Sequence, residues 1–155
     1  MADMNRSERE INDRGQIDEI IHDGEVCHLA FAARNDPYVV PVSYGYDGEY
    51  LYIHTAKEGK KIDCAAANPR VCFAIERNVK LAVNDSSPCK WTLTYESVVG
   101  YGQMEELTEL DDKNYGLSEV VRHYSGKGWD FKGHELDSTR IWRISVDSVT
   151  GKRSA

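Results

Sequence analysis

From Glu25 onward the apolar residues recur at every second position, and this period limits what the chain can fold into. Cys27, Leu29 and Phe31 alternate with Val26, His28 and Ala30. Alternate residues of a strand share a face, so the run predicts a half-buried β-strand ending at the turn signal Asn35-Asp36-Pro37. Tyr38 to Tyr46 reads as a second strand. It contains Pro41, which has no N–H for a ladder and so marks an edge, a bulge or an opening. Asp47-Gly48 predicts a tight hairpin into a third strand, Glu49 to Thr55, paired with the second. A fourth is expected over Arg70 to Arg77. A long or bent strand follows over Lys90 to Glu105, where Gly100 and Gly102 leave room for a bulge or a barrel corner. The C-terminal strand is expected at about 139–147, with Trp142, Ile144 and Val146 on one face.

Helical signals are fewer. Ser7 with Glu10 and Asp13 with Gln16 are capping-box pairs, and Ile17, Ile20 and Ile21 form a stripe that Gly24 stops, so a helix is expected at about 7–23. A short helix is expected from Gly59 to Ala67, closed by Asn68-Pro69, and a longer one from Thr108 and Asp111 to about Tyr124. Asn78 to Pro88 and Ser125 to Gly133 read as loops. Several short strands without βαβ alternation give a mainly β chain, a barrel or sandwich with helical lids, in one domain over 1–155. Gly100-Tyr101-Gly102 lacks the third glycine and helix start of a dinucleotide fingerprint.

Charge and composition narrow the functions. A net charge of −7 over 155 residues disfavours a nucleic-acid partner, since phosphate backbones reward broad basic faces. No apolar run approaches the ~18 residues of a membrane helix. Met1 to Arg6 is polar and has no secretion signal, and Cys27, Cys64, Cys72 and Cys89 are scattered without metal or disulfide spacing, so a cytoplasmic location with reduced thiols is expected. His28, His123 and His134 lack partners at metal spacing, and no metal site is expected.

The segment His54-Thr55-Ala56-Lys57-Glu58-Gly59-Lys60-Lys61 carries the clearest chemistry. It leaves a strand through imidazole and hydroxyl side chains, turns at glycine and starts a helix with two lysines. A phosphate dianion needs several donors and compensating charge, which such a turn supplies through backbone N–H groups and ammonium groups. The same residues also read as a solvated helix face beside a packed histidine. Trp91, Tyr95, Trp129 and Trp142 suit either stacking on a flat ligand or core and interface packing. The acidic run Met104 to Asp112 is read as a solvated turn and helix start. No second basic cluster is apparent along the sequence.

Pro37-Tyr38-Val39-Val40-Pro41-Val42-Ser43-Tyr44, the Asp47-Gly48 hairpin, Leu51-Tyr52-Ile53-His54-Thr55-Ala56, Gly59-Lys60-Lys61 and Asn68-Pro69-Arg70-Val71-Cys72-Phe73 follow one another in order. An N-terminal Arg-containing helix, Tyr95-Glu96-Ser97-Val98 and Trp142-Arg143-Ile144 before Thr150-Gly151-Lys152 extend the set over nearly the whole chain. Together they resemble the pyridoxamine 5′-phosphate oxidase-like flavoprotein superfamily, in particular its nitroimidazole-resistance (NimA-like) branch. The resemblance implies a six-stranded split β-barrel that forms a homodimer with FMN between the subunits. Val40, Pro41, Val42 and Ser43 would run beside the flavin ring, while His54, Thr55, Ala56, Lys60 and Lys61 hold the phosphate and Trp142 lies near the cofactor. His54 is also the candidate for proton transfer. The implied activity is FMN-dependent reduction of a small, flat, electron-poor acceptor such as a nitroaromatic, with NAD(P)H as a possible donor. Oxidation of vitamin B6 is not expected, and the alternative is a non-catalytic flavin- or haem-binding module.

Overall fold

The computed structural model describes residues 6–154; the reading of a polar start at Met1 to Asn5 lies outside them. All strand pairs are antiparallel. The strands are β1 (Glu10–Ile11), β2 (Cys27–Ala33), β3 (Asp36–Val42), β4 (Gly45–Tyr46), β5 (Tyr50–Thr55), β6 (Arg70–Ala82), β7 (Thr92–Leu107), β8 (Arg140–Ser145) and β9 (Ser148–Ser154). The helices are α1 (Arg14–Asp23), α2 (Lys60–Ala67) and α3 (Leu110–Ser125).

The sheet path β3-β2-β6-β7-β8-β5-β4 starts and ends on one stretch of chain, because only Ser43 and Tyr44 separate β3 from β4. The path therefore closes on itself. Residues 36–46 pair with β2 first and with β5 afterwards, changing partner at Ser43-Tyr44. In the same way β8 and β9 follow each other along one edge of β7. Merging these two pairs turns the nine strands into seven continuous ones. Six of them form the barrel, and β1 is added on β9. This is a mainly β, split-barrel architecture with flanking helices.

Alternation decides what lies inside. Cys27, Leu29 and Phe31 on β2, Leu51 and Ile53 on β5, Val71, Phe73 and Ile75 on β6 and Trp142 and Ile144 on β8 form one buried cluster. Ile17, Ile20 and Ile21 of α1 join it, and a smaller cluster of Tyr52, Leu107, Val120 and Ile141 lies between the sheet and α3. Tyr44 is fully buried at the partner change, where its hydroxyl donates to the carbonyls of Ile21 and Gly24 and its backbone N–H donates to Tyr124 Oη. Around Gly102, one of the two glycines read as leaving room for a bulge or corner, β7 passes from β9 to β8, and a Cβ there would stand 1.6 Å from the Ser145 carbonyl oxygen.

Several expectations need correction. The N-terminal helix starts at Arg14, not near Ser7. Asp13 caps it by accepting from the Gly15 N–H, whereas Ser7–Arg9 is a 3₁₀ turn leading into β1. The first hairpin turns at Arg34 and Asn35, both at positive φ (54° and 61°), and Asp36 and Pro37 already belong to β3. Most of the second strand pairs with β2 rather than with β5. Residues 78–82, expected as loop, extend β6, and residues 148–154 form β9, where the sequence pattern predicts no strand.

One ion cluster ties the layers together. Arg77 reaches Glu96, Asp23 at 2.6 Å and Glu19 at 3.8 Å, and Arg153 reaches Glu96 at 2.7 Å. Hydrogen bonds from Arg77, then from Arg153, outweigh partial burial and hold the Glu96 carboxyl below its usual range. A depressed carboxylate adds stability above its unfolded-state pKa and loses it as pH falls through the folded value. Glu96→Gln should therefore destabilise by roughly 1–3 kcal/mol at pH 7, since two guanidinium groups lose their carboxylate. The gap between variant and wild type in chemical denaturation should close as pH falls below about 4.5, the ordinary value for a glutamate. Gly102→Ala should cost about 1–3 kcal/mol at every pH, because the backbone of β8 has to move.

Candidate flavin-binding site

Pro37 and Pro41 lie four residues apart on β3, whose one ladder partner is β2. Neither can donate, so both belong to the positions that point away from β2, and by alternation the peptide groups of Val39 and the carbonyl of Pro41 share that open edge. The side chains of Val40 and Val42 turn inward and pack against the core, while Pro41 and Ser43 are exposed. β3 therefore offers backbone donors and acceptors along its outer edge and an apolar lining beneath.

The basic turn lies at one end of that edge. Lys60 Nζ is 3.7 Å from Asp36 Oδ2 and 4.6 Å from the centroid of the Tyr38 ring, which places the start of α2 against the start of β3. Gly59, the N-cap of α2, has φ 145° with open space around it and supplies no side-chain cap, so the first N–H groups of the helix face outward unoccupied by a capping oxygen. Ala56 is exposed in the turn. From Asp36 to Ser43 the edge runs roughly 20 Å at ~3.3 Å per residue, a length suited to an extended ligand with an anionic end. An uncapped helix start, two lysines and a glycine at positive φ fit a phosphate group, and the open backbone edge fits the polar rim of a flat ring.

His54 points out of the barrel on β5. Partial desolvation, with the charge of Lys61 adding to it, lowers its pKa below the usual 6.5, so the imidazole is neutral at pH 7. Thr55 points inward and is 4% exposed. Its Oγ1 accepts from Trp142 Nε1 at 2.9 Å and donates to the Ala56 carbonyl at 2.8 Å. Trp142 itself is buried in the core cluster. The Trp142-Thr55-Ala56 chain thus fixes the turn from beneath, and Thr55 presents backbone rather than hydroxyl to the surface.

The predicted residues converge in two groups: Lys60 with the start of β3, and His54 with Lys61 above the Thr55–Trp142 pair. Ser43 lies at the far end of the edge. Sequence spacing missed the contacts of Lys60 with Asp36 and Tyr38. It also missed a second basic cleft of about 320 Å³, where Lys57, Lys113 and Arg140 meet beside Glu106 and Asp137. Its cations come from three separated stretches of chain, so no local motif could signal it. Trp91 and Trp129 are exposed and stand in neither group.

A closed six-strand barrel with a basic turn against an open strand edge defines the class, a split barrel. The family comparison narrows that class: residues 13–153 match the family model described as pyridoxamine 5′-phosphate oxidase, and the chain belongs to this family. Among solved structures it is similar to a candidate 5-nitroimidazole antibiotic resistance protein from Bacteroides thetaiotaomicron, at 28% identity and a TM-score of 0.81, covering 93% of this chain and 86% of that one. A FAD-binding protein from Mesorhizobium loti is 25% identical with a TM-score of 0.69, covering 95% of this chain and 98% of that one. A FAD and haem binding protein from Mycobacterium smegmatis shares the fold at 17% identity and a TM-score of 0.81, covering 94% of this chain and 73% of that one. A curated relative, uncharacterized protein RA0666 of Rhizobium meliloti, is 30% identical over 94 residues, which is 61% of this chain and 54% of the relative. The match spans about half of that relative's length.

In an NMR titration the His54 ring should titrate below pH 6.5. Lys61→Ala should move its midpoint upward but leave it below 6.5, because burial is the larger cause. Thr55→Val should leave a buried indole N–H without an acceptor and lower stability by about 1–3 kcal/mol in denaturant unfolding.

Proposed function

We propose that the protein is a cytoplasmic FMN-dependent oxidoreductase, a homodimer with flavin between its subunits, that reduces a small, flat, electron-poor acceptor such as a nitroaromatic compound. The observation that carries this reading is the seating of Lys60 against Asp36 and Tyr38, which joins a phosphate-suited turn to an unpaired strand edge. Family membership and the likeness to a candidate nitroimidazole-resistance protein support it.

In this reading Lys60, Lys61 and the first N–H groups of α2 hold the phosphate, with Thr55 and Ala56 shaping the turn and Trp142 bracing it through Thr55. Peptide groups of Val39 and Pro41 and the Ser43 hydroxyl orient the pyrimidine edge of the ring, and Val40 and Val42 keep the strand seated on the core. The bound flavin supplies hydride and electron transfer. His54, neutral at pH 7, would relay a proton toward the acceptor as it is reduced, one ring nitrogen accepting a proton from solvent while the other gives one up. NAD(P)H is the donor to try first.

Protein purified with FMN should show flavin absorbance and should bleach anaerobically with NAD(P)H and recover on adding a nitroaromatic acceptor. Lys60→Ala with Lys61→Ala should weaken FMN binding at least ~10-fold, since each charge-assisted contact contributes about 1.5–3 kcal/mol. A colourless protein that takes up no flavin, or a flavin affinity untouched by the double substitution, would sink the proposal. Tight haem binding without flavin binding would favour a non-catalytic haem-binding module instead.

A further inference from the structure

The cleft of Lys57, Lys113 and Arg140 has no part in the functional reading, yet it adjoins the phosphate-suited turn. Lys57 lies inside the turn, three residues before Lys60, so their Cα atoms are at most about 11 Å apart. Arg140 opens β8 directly opposite Thr55, the last residue of β5 before the turn. Lys113 comes from the start of α3. The turn therefore has cations on both flanks: Lys60 and Lys61 where α2 begins, and the cleft where β8 and α3 begin.

The cleft is concave, and its volume of about 320 Å³ is near the small end of the range for ligand cavities. Among the described residues Lys57 and Lys113 form no ion pair, while Arg140 Nη1 stands 3.5 Å from Glu106 Oε1. Asp137 is the other carboxylate on the wall, so three cations face two anions and one positive charge is left over. Thr139 supplies the sharpest signal. Its Oγ1 is buried and is the one such side-chain atom without a hydrogen-bond partner among the described residues, and the residue lines this same cleft. Buried hydroxyls are normally bonded, because an unmet one costs stability. A hydroxyl, a guanidinium fork and two ammonium groups around a residual charge of one suit a singly charged oxyanion with several acceptor oxygens.

Position decides which oxyanion. In the sheet, β4 and β8 flank β5 on opposite sides. A ligand that starts on the open edge of β3 and passes over the turn at the end of β5 therefore arrives at Lys57 and Arg140. We propose that the cleft holds a phosphodiester carrying one negative charge, from the diphosphate bridge of a dinucleotide. This rests on the turn as the flavin-phosphate site of the functional reading. Two dinucleotides carry that group: the flavin itself, as FAD, or the pyridine nucleotide that delivers electrons to bound FMN.

The test compares wild type with Lys113→Gln plus Arg140→Gln and with Thr139→Val, each as the full chain. Flavin fluorescence gives the affinities for FMN and FAD, and calorimetry gives that for NAD+ with and without FMN bound. If the flavin brings the phosphodiester, wild type should prefer FAD over FMN by at least ~10-fold, the worth of one charge-assisted contact. Both variants should then erode that preference and leave FMN affinity unchanged. If the donor brings it, the two flavins should bind alike, and the cleft variants should weaken NAD+ binding at least ~10-fold. Native circular dichroism and unchanged FMN affinity confirm the fold of each variant. Should the double variant lose either, Lys57→Gln, exposed in the turn, takes its place. A wild type indifferent to the second phosphate on both ligands, or preferences untouched by the cleft variants, overturns the proposal. FMN held through Lys60 and Lys61 with no cleft dependence overturns the cleft alone. Failure of both flavins to bind, with NAD+ still dependent on the cleft, overturns the functional reading alone.

Discussion

A strand edge that carries two prolines cannot be laddered, and this constraint organises the molecule. Pro37 and Pro41 leave β3 one usable edge, which β2 takes. The chain can reach its other neighbour, β5, only after the prolines have passed, at Gly45 and Tyr46. The barrel therefore closes at one end of residues 36–46 and stays open at the other. The unpaired peptide groups, the inward valines and the approach of Lys60 follow from that division. Tyr44 makes the change of partner possible, since its buried hydroxyl bonds the end of α1 and keeps the crossing segment against the core.

The same site gathers Lys60 and Lys61 within an acidic protein. The molecule carries a net −7, and Lys60 and Lys61 at the start of α2 are placed to offset that charge for an approaching anion. Lys60 is held beforehand by Asp36 and the Tyr38 ring, which limits the side-chain freedom lost on binding but makes Asp36 a competitor for the same ammonium group. Lys61, without an ion pair within 4 Å among the described residues, is the more available charge, and its effect on His54 is felt without any ligand.

What the sequence discloses depends on how local the cause is. The alternation of Cys27, Leu29 and Phe31 and the Asp47-Gly48 hairpin are visible because neighbours along the chain produce them. The sequence points one residue too far along for the turn at Arg34-Asn35, since Asn35-Asp36-Pro37 holds the stronger turn residues. Positive φ at Arg34 and Asn35 makes the tight hairpin, and an edge strand tolerates Asp36 and Pro37. Ser7 and Glu10 imitate a helix cap, yet Glu10 and Ile11 pair with Lys152 and Gly151, partners that no local pattern can announce. Within the site, the contiguous segment from His54 to Lys61 was legible. The bond between Thr55 and Trp142, 87 residues apart, was not, nor was the meeting of Lys57, Lys113 and Arg140.

The position of β8 and β9 in the circuit bears on how the chain acquires its structure. Residues 140–154 supply the neighbour that β5 and β7 share and the strand on which β1 lies. Until residues 140–154 leave the ribosome, two long edges and the apolar interior between them have no cover. Such distant pairings fold slowly and leave nascent chains prone to association. Nascent copies are thus most vulnerable while β6 and β7 already exist and the closing strand does not.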